Sequence, residues 1–476
     1  MSDCCANSHK GKNNYDLAVI GAGSAGFSAA ITAAEQGANV ALIGHGTIGG
    51  TCVNVGCVPS KTMIRAAEAL HSARIAGRFP GLAGEAHVTD WRALIGAKDD
   101  LVGTLRQKKY IDLLPEYNGV AYLEGAARLN GRGVVVNGAA IAADKIVVAT
   151  GSLQGVPDIP GMAGVPYLTS TTALELANRP RSLMVLGGGY IGCELAQMFA
   201  RVGTKVTLVT RSRLLPEAEP EISDALARYL EDDGISILTG LSYQAMKAVE
   251  NGVELSIDRE GRPELLTAQH VLVATGRRPN SAGLGLEEAR VKLSPNGGIV
   301  VDERMRTSKP GVYAAGDVTG RDQFVYMAAY GAKLAALNAL NGDSLAYDNR
   351  AMPWVVFTDP QVAGVGLSEA QAKAQGFATK TSVVPLDQVP RALAARDVRG
   401  LIKLVADADT DRLLGAQILA PEGADSIQTA VLAIKHGMTA KALGETVFPY
   451  LTTVEGLKLA AQSFGKDVAK LSCCAG

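Results

Sequence analysis

The stretch YDLAVIGAGSAGFSAAITAAEQGANVALIG, residues 15–44, decides the fold. A short apolar run from Leu17 to Ile20 feeds the turn Gly21-Ala22-Gly23-Ser24-Ala25-Gly26. An alanine-rich helical stretch follows, and a second apolar run, Val40 to Ile43, closes the unit. The order is strand, glycine turn, helix, strand. In such a βαβ unit Gly21 makes a tight turn, Gly23 lets backbone N–H groups approach a pyrophosphate, and Gly26 lets the helix pack closely on the strand. The glycine spacing alone is weak; its place between a strand and a helix gives it weight. Residues Leu17 to Ala34 carry no charge and are nearly long enough to cross a bilayer, but the three glycines suit a buried strand turning into a helix. The end of the second strand should carry an acid for a ribose hydroxyl, and Gly44 and His45 stand there instead.

The pattern recurs downstream. SLMVLGGGYIGCELAQMFARVGTKVTLVTRSR, residues 182–213, has a strand, then Gly187, Gly189 and Gly192, a helix, and a second strand ending in Thr210-Arg211-Ser212-Arg213. A carboxylate at that end would bind the free ribose hydroxyls of NAD. Arg211 and Arg213 instead favour the 2′-phosphate of NADPH. Two further strands end in Ala-Thr-Gly, at Thr150-Gly151 and Thr275-Gly276, and GVYAAGD brings Gly316 and Asp317 to the end of another strand and the start of a helix. Asp317 is placed to accept a hydrogen bond from a flavin's ribityl chain while the helix N-terminus faces phosphate. Two nucleotide folds and a returning segment imply FAD in one domain and NADPH in a domain inserted within it.

Between them lies GGTCVNVGCVPSK, residues 49–61. Pro59 suits the first turn of a helix expected over Val58 to Leu70. Cys52 and Cys57 at a helix N-terminus meet the positive end of its dipole, which favours thiolate over thiol. Thiolates exchange with disulfides and bind soft metals. No second CxxC or HxxxH supplies ligands for a structural zinc site.

Taken together, the two glycine units, GTCVNVGCVPSK, the two Ala-Thr-Gly strands and AAGD resemble the pyridine nucleotide–disulfide oxidoreductases from about residue 14 to the C-terminus. The resemblance implies an α/β protein with two Rossmann-like dinucleotide-binding domains, for FAD and NADPH, and a C-terminal α+β dimerisation domain. The expected division is an N-terminal tail at 1–13, FAD-binding segments at 14–155 and 274–348, an NADPH-binding domain at 156–273, an interface domain at 349–465 and a C-terminal tail at 466–476. It also implies FAD contacts at Gly21, Gly23, Gly26, Thr51, Lys61, Thr150, Gly151, Gly316 and Asp317, and NADPH contacts at Gly187, Gly189, Gly192, Arg211, Arg213 and Gly276. Cys57 would lie against the flavin, Cys52 would be the exchange thiol, and Lys61 would pair with Glu194. The active site would form at the interface of a homodimer.

The substrate is read from a loss and a gain. Disulfide-reducing members protonate a departing thiolate with a histidine five residues before a glutamate near the C-terminus. In VFPYLTTVEG Glu455 is present, but Tyr450 holds the histidine's place. A tyrosine, with an ordinary pKa near 10, is a poor proton shuttle at neutral pH. The chain also ends KLSCCAG, with Cys473 and Cys474 adjacent. Hg(II) is soft and favours two thiolates, so exchange from Cys473 and Cys474 to Cys52 and Cys57 would deliver it from its thiol complexes without a free ion. FTDPQVAGVG, VPRALAARDVRG and FPYLTTVEGLKLAAQSF resemble the mercury-reducing members of the family, which implies that Tyr110 and Tyr450 line the metal site. The alternatives are a disulfide reductase with a C-terminal cysteine relay and a thiol-rich flavoprotein that sequesters metal without turnover.

Composition agrees with a large globular enzyme. The 476 residues suggest about three domains, and 54 glycines suit many tight turns near cofactors. A net charge of −1 offers nothing to attract nucleic acid or an anionic membrane surface. The polar start MSDCCANSHKGKNN lacks the apolar core of a signal peptide, so a cytoplasmic protein is expected. Seven cysteines, six of them in close pairs at 4/5, 52/57 and 473/474, suggest redox or metal chemistry in a reducing compartment. Cys4 and Cys5 receive no role, and Cys193 reads as a small packing residue.

Overall fold

The computed structural model describes residues 14–130, 133–466 and 470. The chain folds into two compact units. The first holds the chain as far as Pro59 together with Ala97–Gln154 and Arg277–Asp348; the second holds Ser60–Gly96, Gly155–Gly276 and the chain from Asn349 on.

The first unit is built on the opening βαβ unit. Strand β1 (Asn14–Ile20), helix α1 (Ser24–Glu35) and strand β2 (Val40–Gly44) follow the glycine pattern. Helix α2 (Cys57–Arg74), which belongs to the second unit from Ser60 on, starts one residue earlier and ends four residues later than the sequence suggests. Strands β3 (Val120–Glu124) and β4 (Ala139–Val148) complete the core of the sheet, in the order β3-β2-β1-β4 with Val312–Ala314 beyond β4, all parallel. Leu17, Ala18 and Val19 are fully buried, as a parallel strand covered on both faces requires. One cover is α1 laid against the helix Val325–Asn341, where Ala29, Ala30 and Ala33 share a core with Ala332, Ala335 and Ala336. Small side chains on both helices permit that closeness, and Ser28 Oγ donates to the Ala329 carbonyl at 2.8 Å.

Two of the glycines are required sterically. A Cβ on Gly26 would stand 1.7 Å from the Gly21 carbonyl oxygen, and one on Gly192 would stand 1.9 Å from that of Gly187. No side chain fits at either position while the helix sits this close to the turn before it.

The second unit repeats the plan. Strand β5 (Ser182–Leu186), helix α3 (Tyr190–Arg201) and strand β6 (Lys205–Val209) form a parallel sheet with Ser236–Leu238 and His270–Val273. The chain leaves the first unit at Ser152–Gln154 and returns at Arg277–Pro279, and these two strands pair antiparallel. Exit and return side by side are what an inserted domain needs. After Asn349 a five-stranded antiparallel sheet, with Gln361–Gly366 and Leu413–Ala420 near its centre, packs against the helices Gly423–Lys435 and Glu455–Gln462. This is the α+β part of the expected architecture. Among the described residues no helix is long and apolar enough to cross a membrane.

A buried ion cluster ties this sheet to the nucleotide fold of the same unit. Lys403 Nζ, only 3% exposed, lies 3.0 Å from Glu219 and Glu221 and 3.2 Å from Glu369. Glu219 is itself 4% exposed. Lys403→Met strands this buried carboxylate without its cation, which should cost about 3–5 kcal/mol. The expected result is a clear fall in the midpoint of thermal unfolding, with little change from the control Lys441→Met at an exposed pair.

Candidate active site

Cys52 and Cys57, the described cysteines of the first unit, are held on successive short helical starts. Cys52 lies on the single turn Gly50–Asn54, entered through Gly49 in the left-handed region at φ 97°. Cys57 is the first residue of α2. Cys52 is half-buried and Cys57 exposed, each as a thiol rather than a disulfide. Thr51 shares the short turn, and its carbonyl accepts from Val55 N–H at 3.0 Å.

Tyr110 stands beside them on a π-helical turn, Gln107–Ile111, that ends the helix Trp91–Arg106. Such turns reorient one residue out of the regular spacing. Its ring meets Phe27 edge-on at 4.8 Å between centroids. Burial pushes the Tyr110 hydroxyl above its ordinary pKa; a hydrogen bond with Ser24 acts the other way, and the charges of Cys52 and Cys57 add to the rise. The neutral phenol is therefore the form this site holds, ready to donate a hydrogen bond and poor at losing its proton.

Elsewhere in the first unit, Asp317 begins a three-residue 3-10 turn, Asp317–Thr319, rather than the helix expected directly after AAGD, since the next helix starts at Val325. Gly316, its N-cap at φ 76°, is packed closely against Ala25 and Ala328. Asp317 Oδ2 accepts from Ser152 Oγ at 2.7 Å, and Arg277 donates to both Ser152 Oγ and the Ser152 carbonyl at 2.7 Å. Burial lowers the Arg277 pKa, while Asp317 and Cys57 act to raise it. Sequence reasoning missed Arg277 and Ser152, although Arg277 directly follows the second Ala-Thr-Gly strand. Thr150 works as a strap: its hydroxyl donates to the Asn280 carbonyl at 2.7 Å, and Gly151 accepts from Asn280 N–H at 2.9 Å.

The second unit brings Lys61 and Glu194 together. Lys61 Nζ lies 2.6 Å from Glu194 Oε2, and the Glu194 side chain is 5% exposed. The other carboxylate oxygen accepts from Phe357 N–H at 2.9 Å, and the Lys61 ammonium sits 4.8 Å from the centre of the Phe357 ring. These three residues, with Arg201, Asp359 and Gln361, line one cavity. Phe357 is a second residue that motif reading missed, although it opens the FTDPQ stretch.

Helices α1 and α3 both start from a glycine, Gly23 and Gly189, that carries no capping side chain. Around Gly189 nothing lies within 4 Å of where a Cβ would stand. Uncapped N–H groups with open space before them fit a dinucleotide pyrophosphate. At the end of β6 the two arginines differ. Arg213 donates to the carbonyls of Pro216 and Ala218 at 2.9 and 2.6 Å, whereas Arg211 is exposed. Gly187 and Gly276 turn the chain at φ 110° and 114°.

Tyr450 belongs to the second unit and is 56% exposed, next to Val447 at 93% and Leu451 at 42%. Glu455, buried at the start of its helix, accepts from Leu451 N–H at 3.3 Å. Cys193 is buried and its thiol is pushed up by burial and by Glu194, which leaves it inert. Cys473 and Cys474 lie outside the described residues.

Comparison with known proteins gives a consistent result. Residues 15–335 match the family described as pyridine nucleotide-disulphide oxidoreductase, and residues 352–461 match its dimerisation domain. The mercuric reductase of Staphylococcus aureus is 48% identical over 97% of this chain and 85% of its own. That of Streptomyces lividans is 47% identical over 97% of this chain and 98% of its own. Among solved structures, the HOCl-induced flavoprotein disulfide reductase RclA from Escherichia coli superposes with a TM-score of 0.82 at 31% identity, covering 94% of this chain and 99% of that one.

The environment of Tyr110 has a measurable consequence. In an ultraviolet difference titration of the parent against Tyr110→Phe, Tyr110 should ionise above the ordinary tyrosine value of 10.0. Replacing Cys52 and Cys57 by serine removes neighbouring negative charge and should move that transition down. A transition that stays put would show that burial alone sets it.

Proposed function

The chain belongs to the pyridine nucleotide-disulphide oxidoreductase family, and on that premise we propose that it reduces Hg(II) to Hg(0) with electrons from NADPH. The reaction balances as NADPH plus Hg(II) giving NADP+, a proton and Hg(0). FAD, when bound in the first unit, relays the two electrons between nicotinamide and the thiol site. The uncapped glycine turn at Gly23 and the Asp317–Ser152–Arg277 chain suit its pyrophosphate and ribityl portions.

Each remaining step is assigned to the chain's own residues. Cys52 and Cys57, placed at helix starts, offer thiolate ligands to a soft, two-coordinate ion. Tyr110, held neutral against them, donates a hydrogen bond to thiolate or to a departing thiol ligand. Lys61, anchored by Glu194, keeps a positive charge in the cavity that the pair lines. Arg211 is the better candidate of its pair for the 2′-phosphate of NADPH, because Arg213 is already committed to two carbonyls. Val447, Tyr450 and Leu451 are each exposed within the dimerisation domain, and a second copy of the chain covering this segment would bring Tyr450 to the metal site of its partner. Cys473 and Cys474 act as the carrier pair that receives Hg(II) from thiol complexes. Thiols that must remain reduced, with NADPH as donor, favour the cytoplasm.

The observation that carries this reading is Tyr110 packed beside Gly49 at the entrance to the cysteine turn, where the charges of both thiols add to the rise of its pKa, with a second tyrosine, Tyr450, where a disulfide reductase needs an acid–base histidine. Neither phenol shuttles protons well near neutral pH. The likeness to a flavoprotein disulfide reductase supplies the rival.

The deciding assay is NADPH oxidation with HgCl2 in excess thiol, run beside oxidised glutathione. Mercury-dependent turnover with release of volatile metal is expected, and Cys57→Ser should abolish it. Turnover on the disulfide alone would overturn the proposal. Tyr110→Phe should slow mercury turnover by about 10–100-fold. Arg211→Ala should raise the KM for NADPH about tenfold through loss of a charge-assisted contact, leaving that for NADH unchanged.

A further inference from the structure

The first nucleotide fold lacks the acid that ordinarily ends its second strand. Gly44 stands at that place, and the structure shows what fills the space. A Cβ on Gly44 would meet Tyr122 Oη at 2.4 Å, the same ring's Cε2 at 2.8 Å and Ala22 Cβ at 2.9 Å. Ala22 lies in the first glycine turn, between Gly21 and Gly23. The hydroxyl of Tyr122 therefore sits where a side chain at residue 44 would begin, between the end of β2 and the turn that leads into α1.

Glu124 lies two residues further along β3, so it leaves the sheet on the same face as Tyr122. The parallel register sets it directly beside Gly44. Glu124 is exposed, whereas Tyr122 is half-buried. The end of β3 is fixed from both sides. Gly125 N–H donates to the Gly44 carbonyl at 2.7 Å, and the Asn137 amide holds the Glu124 carbonyl and Ala126 N–H, each at 3.1 Å. Because the Gly44 carbonyl already accepts that bond, backbone at this position is a poor substitute for the missing side chain. Burial raises the Tyr122 pKa and the Glu124 charge adds to the rise, so the two groups feel each other and the phenol stays neutral.

We propose that Tyr122 and Glu124 together receive the vicinal hydroxyls of the adenosine ribose of FAD, replacing the carboxylate absent from residue 44. The neutral phenol both donates and accepts, and the carboxylate accepts from the second hydroxyl. The carboxylate has moved one strand outward, and the tyrosine spans the gap it left.

The test is rebinding of cofactor to protein stripped of flavin, followed by quenching of flavin fluorescence. Tyr122→Phe and Glu124→Gln should each weaken FAD about threefold to tenfold. Binding of FMN, which shares the flavin, ribityl chain and a phosphate but has no adenosine, should not change. Glu124→Gln alters an exposed side chain, so it remains informative if a tyrosine variant folds poorly. Gly44→Glu combined with Tyr122→Ala and Ala22→Gly, which clears both side chains from that place, restores an acid on β2 and should bind FAD within about threefold of the parent. Parental FAD affinity in both single variants would overturn the proposal. So would equal loss of FAD and FMN, which marks a structural role, or a loss confined to His45→Ala, which would assign the ribose to the neighbouring exposed imidazole.

Discussion

The carbonyl oxygen of Gly21 leaves room for nothing larger than hydrogen on Gly26, and Gly187 imposes the same limit on Gly192. Everything else about the two nucleotide folds follows from this approach. It brings a helix N-terminus onto the end of a buried parallel strand, with N–H groups that no side chain caps. In the first unit it also sets α1 close enough to β2 for Leu42 to reach within 3.5 Å of where a Gly26 side chain would start. A helix displaced outward to admit a methyl group would lose both the phosphate-facing N–H groups and the alanine packing against Val325–Asn341.

The thiol pair depends on the same closeness of approach. Gly49 and Gly50 turn the chain with positive φ so that Cys52 lies within one short helix and Cys57 starts the next. Tyr110 packs beside this turn from the end of a distant helix, its ring so close to Gly49 that a Cβ there would lie 3.3 Å from Cδ2. Burial favours the neutral phenol and disfavours a charged one, a bias that suits ligand exchange at a metal better than proton transfer to a leaving thiol. In the second unit the Lys61–Glu194 pair is held by a backbone donor and an aromatic ring as well as by its own charges, which makes its geometry hard to vary.

Much of this was legible beforehand because it is local. Glycines at fixed spacing after an apolar run announce a βαβ unit, and both units formed where the pattern puts them, although the second strand of the second unit ends at Val209, before residues 210–213 that were expected to close it. Cys52 and Cys57 are likewise neighbours along the chain, so their helix starts could be read from spacing and a proline. Arg277 and Ser152 were missed for the opposite reason. They are separated by the whole inserted domain, and only the pairing of the exit and return strands sets them beside Asp317. A helix was expected directly after Asp317 because Asp317 follows a strand, whereas Gly320, at φ 73°, ends the turn after three residues.

By itself the sequence determined the two nucleotide folds, the thiol pair and the absence of an acid at residue 44, since each depends on residue types at short, fixed intervals. Only the tertiary structure decided what compensates for that absence. Tyr122 and Gly44 are far apart along the chain and belong to different strands. They meet because β2 and β3 pair in parallel with Leu42 opposite Tyr122 and Gly44 opposite Glu124. Register between distant strands is fixed by the burial of whole faces against the core, a condition on many residues at once that no short stretch of sequence carries.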